Sequence, residues 1–211
     1  MQFSEDILRR VTTEVLATLR GEPEPIPIGV SARHVHLTRA HCDVLFGAGY
    51  ELTVYRELYQ PGFYAANESV TLVSTRRALH NVRILFPLRD HSQVEIARSD
   101  AFMLGVDPPL RLSGDVPGTP GITLVGPQGS LHLDQGLIIA ARHVHMDPEA
   151  ARRFGIKHGD EIEVDIGGPR GARLRHVAVR VSEGILLEMH LDTDEANAAD
   201  VAQGVVARIV K

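Results

Sequence analysis

The segment Ile28-Gly-Val-Ser-Ala-Arg-His-Val-His-Leu37 returns as Leu137-Ile-Ile-Ala-Ala-Arg-His-Val-His-Met146. A run of this length recurring in one chain implies two similar units, because each copy must build the same local structure. His34 and His143 are 109 positions apart, as are His36 and His145. The residues after each copy match as well. Thr38 in the first, and Asp147 with Pro148 at the first helical position in the second, are helix-start residues. Phe46-Gly47 and Phe154-Gly155 are matching stops, after which Tyr50–Val54 and Asp160–Val164 are predicted to begin a strand. A strand, helix, strand unit used twice is the economical reading.

The rest of the chain is short strands and turns. Gly121–Gly126 and Ser130–Asp134 alternate around Pro127-Gln128-Gly129, which predicts a hairpin. Glu161–Ile166 turns at Gly167–Gly171 and returns through Leu174, Val177, Val179 and Val181 as a second. Many short strands and few helices predict a mainly β (α+β) protein of barrel or sandwich type. A length of 211 residues, 44% hydrophobic and 23% charged, is enough for two small cored units.

Ahead of the repeat, Ser4 caps an amphipathic stretch whose apolar stripe is Ile7, Leu8, Val11, Val15, Leu16 and Leu19, closed by Arg20 and Gly21. Residues 1–21 are predicted to form this helix. Residues 22–27 hold three alternate prolines and are predicted to be a semi-rigid connector. Tethered in this way, residues 4–20 either pack on the body or a second copy, as in a homo-oligomer, or serve as a docking peptide for another protein. The opening Met1–Asp6 has no basic or apolar leader character, and the longest apolar runs are strand-length, so neither secretion nor a membrane span is expected. Cys42 is the single cysteine, which permits no internal disulfide and suits a reducing cytoplasm. A net charge of −5 without a basic run argues against nucleic acid.

His-x-His on an extended backbone sends both imidazoles to one face, where neutral ring nitrogens can hold a divalent metal. A third ligand for each pair comes from aligning Gln93-Val-Glu-Ile96 with Glu188-Met-His-Leu191, which sets Glu95 against His190. The predicted sites are His34, His36 and Glu95, and His143, His145 and His190. Three ligands with open positions suit a catalytic ion, and donors without thiolate favour zinc, with manganese, cobalt and nickel as alternatives. A cupin would use Glu149 after the second His-x-His, but the first copy has no counterpart and a helix start already accounts for an acid there.

With Gly29–Leu37, Gln93–Ile96, Asp100-Ala101, Pro120–Pro127, Ala140–Met146 and Leu187–Asn197, the chain resembles the PduL-type phosphotransacylase family, also called phosphate propanoyltransferases, of bacterial microcompartments. The resemblance runs from about Ile28 to Asn197. It implies two joined, interleaved β-barrels with short capping helices over residues 28–211, the central barrel from about 38–134 and the other from 28–37 plus 135–211. It implies two metal ions, and acyl-CoA and phosphate as substrates in a ternary complex. Carried over residue by residue, it makes Arg89 the phosphate partner and places Arg56, Arg83, Ser31 and Asn197 near CoA. It also implies a cytoplasmic enzyme inside a microcompartment, with residues 4–20 meeting shell or core proteins. Phe86 before Pro87, and Ser74–Arg77, depart from the family pattern.

The implied reaction is transfer of a propanoyl or acetyl group between CoA and phosphate, with phosphate as direct nucleophile. Cys42 is the alternative acyl carrier, although a small buried cysteine is the commoner case within a helix. A zinc-dependent thioester or phosphoester hydrolase would use the same ligands with water, and a metal-stabilised shell-associated barrel would use them without turnover.

Overall fold

The computed structural model describes residues 24–202 and 204–210 together with Thr12 and Val15, both helical. Apart from those two positions, the helix expected over residues 1–21 lies outside the described residues, as does the start of the connector. The elements in chain order are β1 (Ile26–Ser31), β2 (His34–His36), α1 (Arg39–Phe46), β3 (Val54–Glu57), β4 (Tyr64–Val73), β5 (Ala78–Phe86), β6 (Gln93–Ile96) and α2 (Arg98–Leu104). They continue with β7 (Leu110–Arg111), β8 (Ile122–Val125), β9 (Ser130–Leu133), β10 (Leu137–Ala140), β11 (His143–Met146), α3 (Pro148–Phe154) and β12 (Glu161–Ile166). Last come β13 (Ala172–Val181), β14 (Glu188–Asp192), α4 (Thr193–Ala198) and β15 (Val206–Ile209). The protein is mainly β, with short helices, as expected. No described helix is long and apolar enough to cross a membrane.

The chain divides into two compact units. One comprises Met1–Val30, Arg142–Leu191 and Glu195–Lys211. Its strands close a barrel in the order β1-β14-β11-β13-β12-β15. Ile26, Val144, Met146, Val164, Val177 and Met189 are fully buried inside it, and this burial is the main force holding the strands. The other unit comprises Ser31–Ala141 and Asp192–Asp194. It is built on a curled nine-stranded sheet, β7-β10-β6-β2-β5-β4-β8-β9, with β3 on β4. Val35, Leu37, Leu45, Leu72, Ile84, Leu104 and Leu124 are its fully buried core.

Local chemistry agrees closely with the sequence. Thr38 Oγ1 accepts from His41 N at 3.1 Å and Asp147 Oδ1 from Ala150 N at 2.6 Å, so both predicted caps close their helices. Gly155, φ 71°, ends α3 in the left-handed conformation that glycine adopts without a Cβ clash. Both predicted hairpins form, β8 with β9 and β12 with β13. Asp160–Val164 leads into β12 as expected, but Tyr50–Thr53 is not a strand. There the Glu68 carboxylate accepts from Thr53 N, Thr53 Oγ1 and Tyr50 Oη, so a side chain takes the place of a ladder partner.

The unit boundaries also differ from those expected. Residues 28–37 do not run together into the C-terminal unit: β2 lies between β5 and β6 in the nine-stranded sheet, bonded on both sides, and only the stretch up to Val30 belongs with the barrel. Residues 135–141 likewise belong with the middle of the chain, because β10 pairs in parallel with β6 and β7. The interleaving is therefore reciprocal. The strand leading into the first His-x-His serves the second repeat's barrel beside β14, and the strand leading into the second serves the first repeat's sheet beside β6.

Candidate functional site

Each His-x-His strand lies antiparallel to the strand that carries its third partner. On β2 and β6, His34 faces Glu95 and His36 faces Gln93. On β11 and β14, His143 faces His190 and His145 faces Glu188. Residues two apart on a strand share a face, and directly opposed residues are neighbours across the ladder, so each pair of strands sets four side chains at the corners of a square. Strand geometry alone thus produces the clustering.

The structure brings together the two predicted triads, one in each unit. Within each, the candidate ligand atoms lie within 4.8 Å of one another. His34 Nε2 and His36 Nε2 stand 3.6 and 3.8 Å from Glu95 Oε1. His143 Nε2 and His145 Nε2 face each other at 3.1 Å. Two nitrogens on one tetrahedral zinc, each bonded at about 2.0–2.1 Å, stand about 3.3 Å apart. Three donor atoms converging within 4.8 Å in each square, with imidazole Nε2 atoms face to face in the second, fit a divalent cation. Both donor sets are imidazole and carboxylate without thiolate, which suits zinc, manganese, cobalt or nickel.

Electrostatics distinguish the squares. Burial would lower the His34 imidazole, but the adjacent Glu95 carboxylate outweighs it and the net shift is upward. Burial pushes His36 well below its ordinary value, assisted by the charges of His34 and Arg89. Glu95 is held well below the usual carboxylate range: burial opposes this, and His34, His36 and Ser113 overcome it. In the second square, burial together with His143, His190 and Arg180 lowers His145 to about 3. His36 and His145 are thereby kept neutral near pH 7, as a ligand imidazole must be.

The arginine before each His-x-His has a fixed partner five residues beyond the third member of its triad. Arg33 Nε donates to Asp100 Oδ2 at 3.0 Å, with Nη2 2.8 Å from Oδ1. Arg142 Nη1 donates to Glu195 Oε1 at 2.7 Å, while its Nε and Nη2 reach Arg175 O. Asp100 sits in the first turn of α2 after β6 and also accepts from Ala97 N, and Glu195 sits in α4 after β14. Each clamp ties a His-x-His strand to the helix that comes after its partner strand.

Arg89 is held beside the first triad. Its backbone N donates to Leu37 O, next to β2, at 2.9 Å, and Nη1 donates to Ser113 Oγ at 3.1 Å. Gln93 Nε2 contacts the same hydroxyl at 2.9 Å and Glu95 Oε1 at 2.6 Å. Arg83, the register partner of His34, donates to Ala66 O and stacks its guanidinium 4.3 Å from the Tyr55 ring centroid, next in sequence to exposed Arg56. Ser31 ends β1, half-buried, in the same unit, while Asn197 is exposed on α4 in the other. Cys42 is fully buried in α1, and burial raises its thiol pKa, which leaves it inert. Glu149 takes no part in either triad: it is exposed in the first turn of α3, 3.7 Å from Arg153.

Sequence reasoning missed Gln93, Ser113, Glu188 and the two clamps. The constant five-residue spacing from Glu95 to Asp100 and from His190 to Glu195 was the available signal.

The family model for phosphate propanoyltransferase matches residues 27–202. A phosphate propanoyltransferase of Thermotoga maritima is 50% identical over 210 residues, covering 99% of both chains. Proteins of the same name from Rhodopseudomonas palustris and Salmonella typhimurium are 45% and 48% identical, covering 98% and 93% of this chain and 96% and 93% of their own.

Proposed function

The chain belongs to the phosphate propanoyltransferase family, and from that premise we propose that it transfers an acyl group between coenzyme A and inorganic phosphate in a ternary complex, with a divalent ion at each triad. As a member of that family it is an acyltransferase. The observation that carries the two-ion part is the recurrence of one ligand square in both units, with Arg89 fixed beside the first.

His34, His36 and Glu95 would hold one ion, and His143, His145 and His190 the other. A bound divalent ion supplies Lewis acidity toward the thioester carbonyl or sulfur. Arg89 binds phosphate, since a guanidinium offers a planar pair of donors to two phosphate oxygens. A phosphate oxygen attacks the thioester carbonyl carbon, the new C–O bond forms, the C–S bond breaks, and CoA leaves as thiolate. No acyl-enzyme is needed, in keeping with the buried, protonated Cys42. Arg56 and Arg83, with Ser31 and Asn197, are assigned to CoA, the arginines being suited to its phosphates. Propanoyl and acetyl groups are the acyl candidates. Residues 4–20 are assigned as the segment that docks the enzyme to microcompartment shell or core proteins.

The test is thiol release from propanoyl-CoA and acetyl-CoA with and without phosphate. Release that depends on phosphate and yields acyl phosphate supports the reading. Equal release without phosphate makes the protein a hydrolase and refutes it.

A further inference from the structure

Both squares have a fourth corner, and the two fourth corners are chemically opposite. In the first square the third ligand is a carboxylate, Glu95, and the fourth corner is an amide: Gln93 Nε2 donates to Glu95 Oε1 at 2.6 Å. In the second the third ligand is an imidazole, His190, and the fourth corner is a carboxylate: Glu188 Oε2 lies 2.8 Å from His190 Nε2. Donor and acceptor have traded places in step with the ligand they hold. Each square consequently contains one carboxylate.

Glu188 is buried, at 6% exposure, and it stands directly across the ladder from His145. A carboxylate taken out of water needs compensating partners, and it is an expensive choice if its only task is to pair two strands. Space has been kept for it. A Cβ on Gly29 of the neighbouring β1 would stand 2.5 Å from Glu188 Oε1 and 3.0 Å from its Cδ. Gly29 has no positive φ, so the reason for glycine here is the close approach of the carboxylate rather than the backbone.

We propose that Glu188 is a working member of the second metal site, holding His190 and supplying the negative charge that three neutral imidazoles lack, as Glu95 supplies it in the first. A cation at His143, His145 and His190 then meets one formal negative charge, the same as at His34, His36 and Glu95. Carboxylates that hold a ligand histidine typically change metal affinity by about ten- to a hundredfold when removed. The inference rests on the two-ion reading.

The experiment is zinc titration of the full chain against a chromophoric chelator, which resolves the two ions by affinity. Glu188→Gln keeps the shape and removes the charge. The variant should hold one zinc with wild-type affinity and the second about ten- to a hundredfold more weakly. Gly29→Ala, which pushes the carboxylate aside without deleting it, should weaken the same ion. Retention of the first ion shows that each variant is folded, and a merely structural Glu188 would not produce loss confined to one ion. Either variant binding both ions as tightly as wild type overturns the proposal, and so does parallel loss of both. Wild-type protein that binds fewer than two ions sinks the two-ion reading itself, a different failure visible before any variant is made.

Discussion

Replacing Asp100 with Asn tests whether the arginine that precedes each His-x-His is a structural clamp. Asp100 is fully buried and meets Arg33 through contacts of 3.0 and 2.8 Å, while also accepting from Ala97 N at 3.3 Å. Asparagine keeps one oxygen, so the bond from Ala97 N can survive, but the charge is gone. A hydrogen bond to a charged group contributes about 1.5–3 kcal/mol. The Arg33 side chain is 40% exposed and regains water when released, which places the loss toward the lower end, near 2 kcal/mol. For a chain of this length each kcal/mol moves the melting temperature by about 2–4 °C, so Asp100→Asn should melt about 4–8 °C lower. The assay is calorimetric unfolding of metal-free protein for wild type, Asp100→Asn, Arg33→Ala and the double variant. A coupling of about 1 kcal/mol or more is expected, together with weaker zinc retention at the first site only. Coupling within about 0.3 kcal/mol of zero would refute the clamp, because residues that do not interact have additive effects.

Arg89→Lys keeps the charge but loses the planar pair of donors, so efficiency toward phosphate should fall about ten- to a hundredfold while zinc content holds, measured as initial rate against phosphate at saturating acyl-CoA. An unchanged phosphate dependence would remove Arg89 from the phosphate site. His143→Ala should reduce two bound ions to one by elemental analysis, leaving the secondary structure intact by circular dichroism. Deletion of residues 1–20 should leave turnover nearly unchanged and alter self-association or packaging; loss of activity with normal assembly would make that segment part of the catalytic body instead.

The two triads were legible because their geometry is local. His-x-His declares a shared face from two positions, and the second copy supplies the control that a single pair lacks. Caps and hairpins were legible for the same reason: Thr38, Asp147 and Pro148 act on their own helices, and the glycine turns act on their own strands. Tyr50–Thr53 was misjudged because its alternation looked like a strand, while the deciding partner, Glu68, lies 15 positions beyond Thr53 and competes through its side chain. The misplaced unit boundary has a similar cause. Periodicity shows that residues 28–37 are extended but not which strands accept their hydrogen bonds, and β1 and β2 are separated by only two residues while belonging to different sheets.

That exchange links the leading strand of each repeat to the strands of the other. A closed barrel satisfies every strand edge, and the barrel of the C-terminal half closes only because β1, from the start of the chain, fills the place between β14 and β15. β1 also brings Gly29 against Glu188 and His190, so the strand that completes the barrel shapes one side of the second square. β10 has the matching position in the other sheet: its Ile138 stands in register with Glu95, directly beside the first square. A change in the leading strand of one repeat is therefore felt at the triad of the other. Gly29 and Ile138 occupy matching places in the aligned repeats, and the difference between them is chemical: glycine admits the Glu188 carboxylate, while fully buried Ile138 packs beside Glu95, which already has its donor in Gln93. The two squares differ together with the strands that flank them: the triad that includes a carboxylate lies beside Ile138, and the triad of three imidazoles lies beside Gly29 with Glu188 between.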